Sequence, residues 1–183
     1  WSMYASRSPM PPVICRVPCL PVGMIPAFAG WFISEGDTIA LIASEEDELA
    51  QAMAHLVRIG LDNIVGGYVG VIPAAAQGKA MQSIAMIDTE EVARRLAEDS
   101  EDWTLLDVRA LDERQQGSID GSEHVYVGEL NTRWKELDRD RHYTLMCASG
   151  MRASVAAGWL ASQGFKHLDV YLGSMGAWAN AQG

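Results

Sequence analysis

The chain is poor in the residues that would place it in several large classes. Its 183 residues include three cysteines and four histidines. Three thiols are not the framework of a small disulfide-stapled domain, which closes its loops with several pairs. Cys15 and Cys19 form a C-x3-C pair with no second Cys or His pair beside it, which reads as two free thiols rather than a zinc site. His55, His124, His142 and His167 make neither an H-x-H nor an H-E-x-x-H pattern, so no metal and no cofactor is expected. Basic residues are scarce: 14 Lys and Arg against 24 Asp and Glu leave a net charge of −10. That balance argues against a nucleic-acid or anionic-membrane partner. No apolar run approaches the ~18–20 residues of a membrane span. Residues 1–30 lack the charged start and continuous apolar stretch of a secretory signal. A reducing, cytoplasmic setting is therefore expected.

What is present is a packed core and one chemically loaded loop. Hydrophobic residues make up 49% of the chain, and its length allows one large or two small domains. The loop is Cys147-Ala148-Ser149-Gly150-Met151-Arg152. It follows a strand-like Tyr143-Thr144-Leu145-Met146 and precedes an Ala-rich helical stretch opening at Arg152 or Ala153. A cysteine at a strand's end, a small-residue turn and a helix start together form an anion-binding setting. Backbone N–H groups converge there, and the helix N-terminus adds positive partial charge. Both favour a thiolate. A helix terminus supplies ~0.3–1 kcal/mol, rarely ~2, and charge-assisted hydrogen bonds about 1.5–3 each. Together they suffice to activate a thiol without a histidine base. Arg152 would add fixed positive charge.

The loop resembles the C-x-x-G-x-R active-site loop of the rhodanese family of sulfurtransferases, and the resemblance runs over roughly residues 84–183. Thr104-Leu105-Leu106-Asp107-Val108-Arg109 resembles the family's Leu-Asp-Val-Arg strand. Glu113, Gly117, Ile119 and Gly121 match its E…G-H-I-P-G segment, with Ser118 at the His position and Asp120 at the Pro position. Tyr171 to Trp178 resembles its L-x-G-G-x-x-x-W close, with Ser174 replacing the second Gly. Phosphatase relatives of this fold use a longer C-x5-R cradle. By this resemblance the shorter loop implies a single transferred sulfur and ranks sulfur transfer above phosphate or arsenate chemistry.

Strand–helix alternation predicts an α/β fold with a central parallel sheet flanked by helices, and the loop at the carboxyl end of a strand. Asp88-Thr89-Glu90-Glu91 predicts a helix start with a capping box and an Ile87–Val92 staple. Thr132–Leu137 is expected to form a short helix. Asp107 and Arg109 read as a structural ion pair supporting the site. Glu113 reads as a surface or turn-stabilising carboxylate, and Met151 either lines an apolar pocket mouth or is simply exposed.

Thr38–Gly67 reads like a second copy of the strand–loop–helix around Cys147. Thr38–Ile42 is strand-like, and Glu45–Ile59 has helical spacing closed by Gly60, as Gly164 closes the later helix. Aligning the two glycines sets Ala43 opposite Cys147 and Glu48 opposite Arg152, so this copy lacks both nucleophile and cation. Pro21–Ile25 parallels Tyr126–Leu130, and Ser6-Arg7-Ser8 parallels Val108-Arg109-Ala110. The expected organisation is a truncated, inactive repeat over 1–79, a linker around 73–83, and a complete domain over 84–183. Ala29-Gly30-Trp31 and Arg58-Ile59-Gly60-Leu61-Asp62-Asn63 resemble the inactive first repeat of proteins in which a metallo-β-lactamase-like hydrolase precedes two rhodanese domains.

The resemblance implies an enzyme that moves a sulfane sulfur from thiosulfate or a low-molecular persulfide to a thiophilic acceptor through a Cys147 persulfide. Ala148, Ser149, Gly150, Met151 and Arg152 would bind the substrate. Its partners would be a small-molecule donor and acceptor, with a fused or partner hydrolase or oxidoreductase. The alternative is a non-catalytic sulfur-carrier or sulfur-sensing module of a larger fusion protein.

Overall fold

The computed structural model describes residues 22–70 and 84–182. Cys15, Cys19, Pro21, the Ser6-Arg7-Ser8 parallel and the whole 73–83 linker lie outside the described residues.

Five strands form one all-parallel sheet: β3 (Ala85–Ile87), β4 (Trp103–Asp107), β5 (Glu123–His124), β6 (His142–Met146) and β7 (Leu168–Tyr171). Their spatial order is β3-β7-β6-β4-β5. A parallel sheet must be covered on both faces, so its strands are apolar on alternate sides rather than on one. Leu106, Tyr143, Leu145, Leu168 and Val170 face the helix α6 (Met151–Ser162), packing with Val155, Ala156, Trp159 and Leu160. Leu105, Met146 and Tyr171 face the other way. They meet Val92 of α3 (Thr89–Glu98) and Met175 and Trp178 of α7 (Ser174–Gln182). The near-uniform burial of Ala153 to Leu160 follows from an apolar helix with almost no polar face.

The start of α3 differs from expectation in one bond. Asp88 Oδ1 accepts from the Glu91 N–H at 3.0 Å, as a cap should. The Glu91 carboxylate does not return to Asp88 but accepts from Arg94 and Arg95. Two guanidiniums one turn ahead outcompete a single backbone N–H. The predicted 132–137 helix is a short α5 (Leu130–Arg133) continued by a 3-10 turn at Trp134–Glu136.

The N-terminal described part holds a 3-10 turn (Val22–Met24), α1 (Ile25–Phe32), β1 (Ile39–Ala43), α2 (Glu46–Arg58) and β2 (Ile64–Val69). β1 and β2 pair in parallel as a separate two-stranded sheet. It docks through α1: Phe32 stacks on Trp159 at 5.0 Å between ring centroids, and Trp31 meets Tyr126 edge-on at 5.8 Å. Both α2 and α6 end in the same hydrogen-bond pattern. Gly60 (φ +80°) donates to Val57 O and Leu61 to Leu56 O; Gly164 (φ +96°) donates to Ala161 O and Phe165 to Leu160 O. This is the Schellman closure, which places glycine in the left-handed region and buries the residue after it.

A candidate active site at the end of the central strand

Cys147 follows β6, the middle strand of the five, at its carboxyl end. Its residue surface is 1% exposed, while Ala148, Ser149 and Met151 around it are exposed. Gly150 turns the chain at φ +103°, a conformation that only glycine adopts cheaply. That turn points the Gly150 N–H at Cys147 Sγ, 3.1 Å away. The helix α6 begins one residue later, slightly earlier than expected, so the sulfur sits beside N–H groups that have no carbonyl one turn back.

The loop's carbonyls are bound on its outer side. Cys147 O accepts from the Met175 N–H at 3.0 Å, and Ala148 O from the Gly176 N–H at 3.0 Å. Gly150 O accepts from the Ser154 N–H and hydroxyl. Ser174 is fully buried with φ +50°. Its hydroxyl accepts from the Cys147 N–H at 3.1 Å and donates to Tyr171 O at 2.8 Å. The first turn of α7 therefore fixes the base of the loop. Sequence reasoning saw Ser174 only as a departure from a glycine pair. The hydroxyl's two bonds compensate the left-handed backbone that glycine would take at no cost.

Arg152 is not a free cation. Its Nη1 and Nη2 donate to both oxygens of Glu113 at 2.5 and 2.7 Å. These bonds hold the Glu113 carboxyl below the usual carboxylate range, against the opposing effect of burial. The same bonds raise Arg152, and the nearby Cys147 sulfur adds a smaller share. Glu113, expected to be a surface or turn carboxylate, thus ties α4 (Leu111–Gln115) to the loop. Thirty-nine positions separate the partners, so no local pattern could have joined them.

Asp107 and Arg109 lie behind this pair. Both are buried, and Arg109 Nε and Nη2 donate to the Asp107 carboxylate at 2.7–3.1 Å. Arg109 also donates to Gly117 O at 2.8 Å and to Glu113 O at 3.4 Å. Arg114 Nη1 adds a second cation to Asp107 at 3.3 Å. The order of support runs from Asp107 through Arg109 to the α4 segment, then through Glu113 to Arg152 and the loop. Their bonds run to one another, to Arg114 and to backbone groups of the segment that carries Glu113. Among the described residues no cluster of three or more His, Cys, Asp or Glu is placed to hold a metal, and no helix is long and apolar enough to cross a membrane.

A thiol buried at the end of a central parallel strand, under a short N–H-lined turn, defines the class of protein. The chain belongs to the rhodanese-like domain family, whose model matches residues 88–181. It is similar to the YtwF protein of Bacillus subtilis (strain 168), 35% identical over 95 residues that cover 52% of this chain and 90% of that protein. It is also similar to a sulfurtransferase of Allochromatium vinosum, 34% identical over 93 residues, 51% of this chain and 86% of that one. Among solved structures, the Saccharomyces cerevisiae single-domain sulfurtransferase RDL2 aligns with TM-score 0.50 at 17% identity, over 56% of this chain and 94% of that one. That last likeness concerns the fold.

Proposed function

We propose that the 84–183 domain is a sulfurtransferase working through a covalent Cys147 persulfide. The Cys147 thiolate attacks the outer sulfur of a donor, thiosulfate or a low-molecular persulfide. The donor's S–S bond breaks, and sulfite or a thiolate leaves with the electron pair. An acceptor such as cyanide or a thiol then attacks the outer sulfur of the persulfide and regenerates Cys147. Two half-reactions on one nucleophile give ping-pong kinetics. The observation that carries this reading is the Gly150 N–H aimed at Cys147 Sγ from 3.1 Å. A donor of this kind stabilises negative charge on sulfur in a site that largely excludes water. Burial of Cys147 suits a terminal sulfur, which projects beyond the rest of its carrier. Intact mass after donor treatment tests the reading: wild type should gain 32 Da and form thiocyanate from cyanide, and Cys147→Ser should do neither. A wild-type protein with no adduct from any donor and no turnover would end it.

The same proposal extends to the first part of the chain, residues 1–79, as a truncated copy without activity. Several equivalences at a spacing of 104 positions support it. Ile39 pairs with Ile64 as Tyr143 pairs with Leu168, and the Ile39 and Tyr143 N–H groups donate to Asn63 O and His167 O. Both helices close on Gly60 and Gly164 in the same way. At the position of Cys147 this copy carries Ala43. One of its loop N–H groups is already engaged: Ser44 donates to the Glu48 carboxylate at 3.1 Å.

A further inference from the structure

Between Cys147 and Arg152 the rim above the thiol carries no charge, and neither does the facing turn. Residues 148–151 are Ala, Ser, Gly and Met, and residues 171–180, which pass beside them, hold neither an acid nor a base. Two large aliphatic side chains stand out there. Met151 is 42% exposed and Leu172 is 55% exposed. Leu172 lies over the turn, since its Cδ1 would sit 3.7 Å from a Cβ placed on Gly150. The arginines on this side of the domain are each engaged: Arg152 with Glu113, and Arg109 and Arg114 with Asp107. The chain as a whole carries −10. A small dianion approaching this mouth meets repulsion at long range and, among the described residues, no unpaired guanidinium at short range. A neutral aliphatic group meets surface that gains from being covered.

We propose that Met151 and Leu172 determine donor choice, favouring a persulfide carried on an uncharged aliphatic group over the thiosulfate dianion. The proposal rests on sulfur capture by Cys147. The step is R–S–SH plus the Cys147 thiolate giving the Cys147 persulfide and R–S⁻. The R–S to S bond breaks, the leaving thiolate takes its electron pair, and no outside oxidant or reductant is needed. The aliphatic R group lies against Met151 and Leu172 while its terminal sulfur reaches down to Sγ.

The experiment follows the rate of the 32 Da gain with thiosulfate and with a short alkyl persulfide released in situ. Each rate is divided by that of a free cysteine peptide, which removes intrinsic donor reactivity. Wild type should favour the alkyl persulfide on this scale by at least tenfold. Met151→Lys and Leu172→Lys each set a cation at the rim. Each should raise thiosulfate capture roughly five- to thirtyfold, with the gain shrinking in ~0.5 M salt, and lower capture from the alkyl donor. Both positions are exposed, so folding should survive, and unchanged circular dichroism checks it. Normalised preference for thiosulfate in wild type, or an unchanged donor ratio in both lysine variants, overturns the proposal. Absence of adduct from every donor in wild type overturns sulfur capture itself, and this proposal with it.

Discussion

The Glu113–Arg152 pair gives the sharpest test of how the loop is held. Glu113→Gln keeps the side chain's shape and removes the charge that accepts two hydrogen bonds from Arg152. Charge-assisted bonds contribute about 1.5–3 kcal/mol where solvent is excluded, and exposed pairs only about 0.2–1. The side chains of Arg152 and Glu113 are 21% and 32% exposed, between these regimes. We expect a coupling of about 1–1.5 kcal/mol from a double-mutant cycle of Glu113→Gln, Arg152→Gln and the double variant. In urea, with a slope near 1.5 kcal/mol/M, that moves the midpoint by roughly 0.7–1 M without changing the slope.

The pH dependence has a definite sign. The Glu113 carboxyl of the folded protein lies below its ordinary value of 4.5, chiefly through the Arg152 hydrogen bonds. A depressed carboxyl stabilises the fold fully above the unfolded value. The contribution fades as pH falls from about 4.5 through the lowered folded value. Wild type and Glu113→Gln should therefore differ most at neutral pH and converge in acid. Arg152→Lys should recover only part of the coupling, because an ammonium cannot span both carboxylate oxygens. A coupling below about 0.3 kcal/mol at pH 7, within the scatter of independent sites, would refute the reasoning. So would a Glu113→Gln penalty that stays constant into acid.

Three further outcomes follow from the same geometry. Asp107→Asn leaves Arg109 and Arg114 without their shared carboxylate in a buried place; calorimetry should show a loss of about 3–5 kcal/mol, and a loss under 1 would mean the cations find other partners. Ser174→Ala keeps a Cβ at φ +50° and removes the hydroxyl from Cys147 N–H and Tyr171 O, whereas Ser174→Gly removes the hydroxyl but relieves the backbone. Urea titration should find the alanine variant less stable than the glycine one by about 1 kcal/mol, and the reverse order would contradict the assigned strain. Ala43→Cys in a Cys147→Ser background should gain no 32 Da adduct, because Glu48 already holds the Ser44 N–H and Glu45, Glu46 and Asp47 repel anionic donors; appreciable persulfide there would show the first copy to be competent.

Much of this fold was legible because a parallel sheet covered on both faces writes itself as short apolar runs. Leu105-Leu106 and Leu145-Met146 are such runs, each sending neighbours to opposite cores. The ends of α2 and α6 were legible because a left-handed residue after a helix selects glycine, and Gly60 and Gly164 stand there. Cys147 and its turn were legible as a contiguous motif. What could not be read was contact between distant polar side chains. The bond from Ser174 to the loop spans 27 positions. The buried group around Asp169 is a similar case: it accepts from Arg95 and Thr144, bonds His142, and lies on one face of β7. Its partners come from two other elements, α3 and β6.

Arg152 shows why this matters for chemistry. From sequence alone, an arginine five positions after a cysteine reads as charge available to the sulfur. In the fold that charge is shared with Glu113, whose own position depends on Arg109 and Asp107. A carboxylate that takes both guanidinium arms makes Arg152 a strut between α4 and the loop, and the Cys147 sulfur is its lesser partner. The Gly150 N–H and the start of α6 stand beside the sulfur as well, groups fixed by backbone geometry. Such donors act at contact distance and fade within one helical turn. In the proposed reaction they would hold the persulfide once formed, yet do little to draw a charged donor from solution. On the donor preference proposed above, selection would fall to the uncharged rim, where a terminal sulfur on an apolar carrier would find surface to cover and a dianion none.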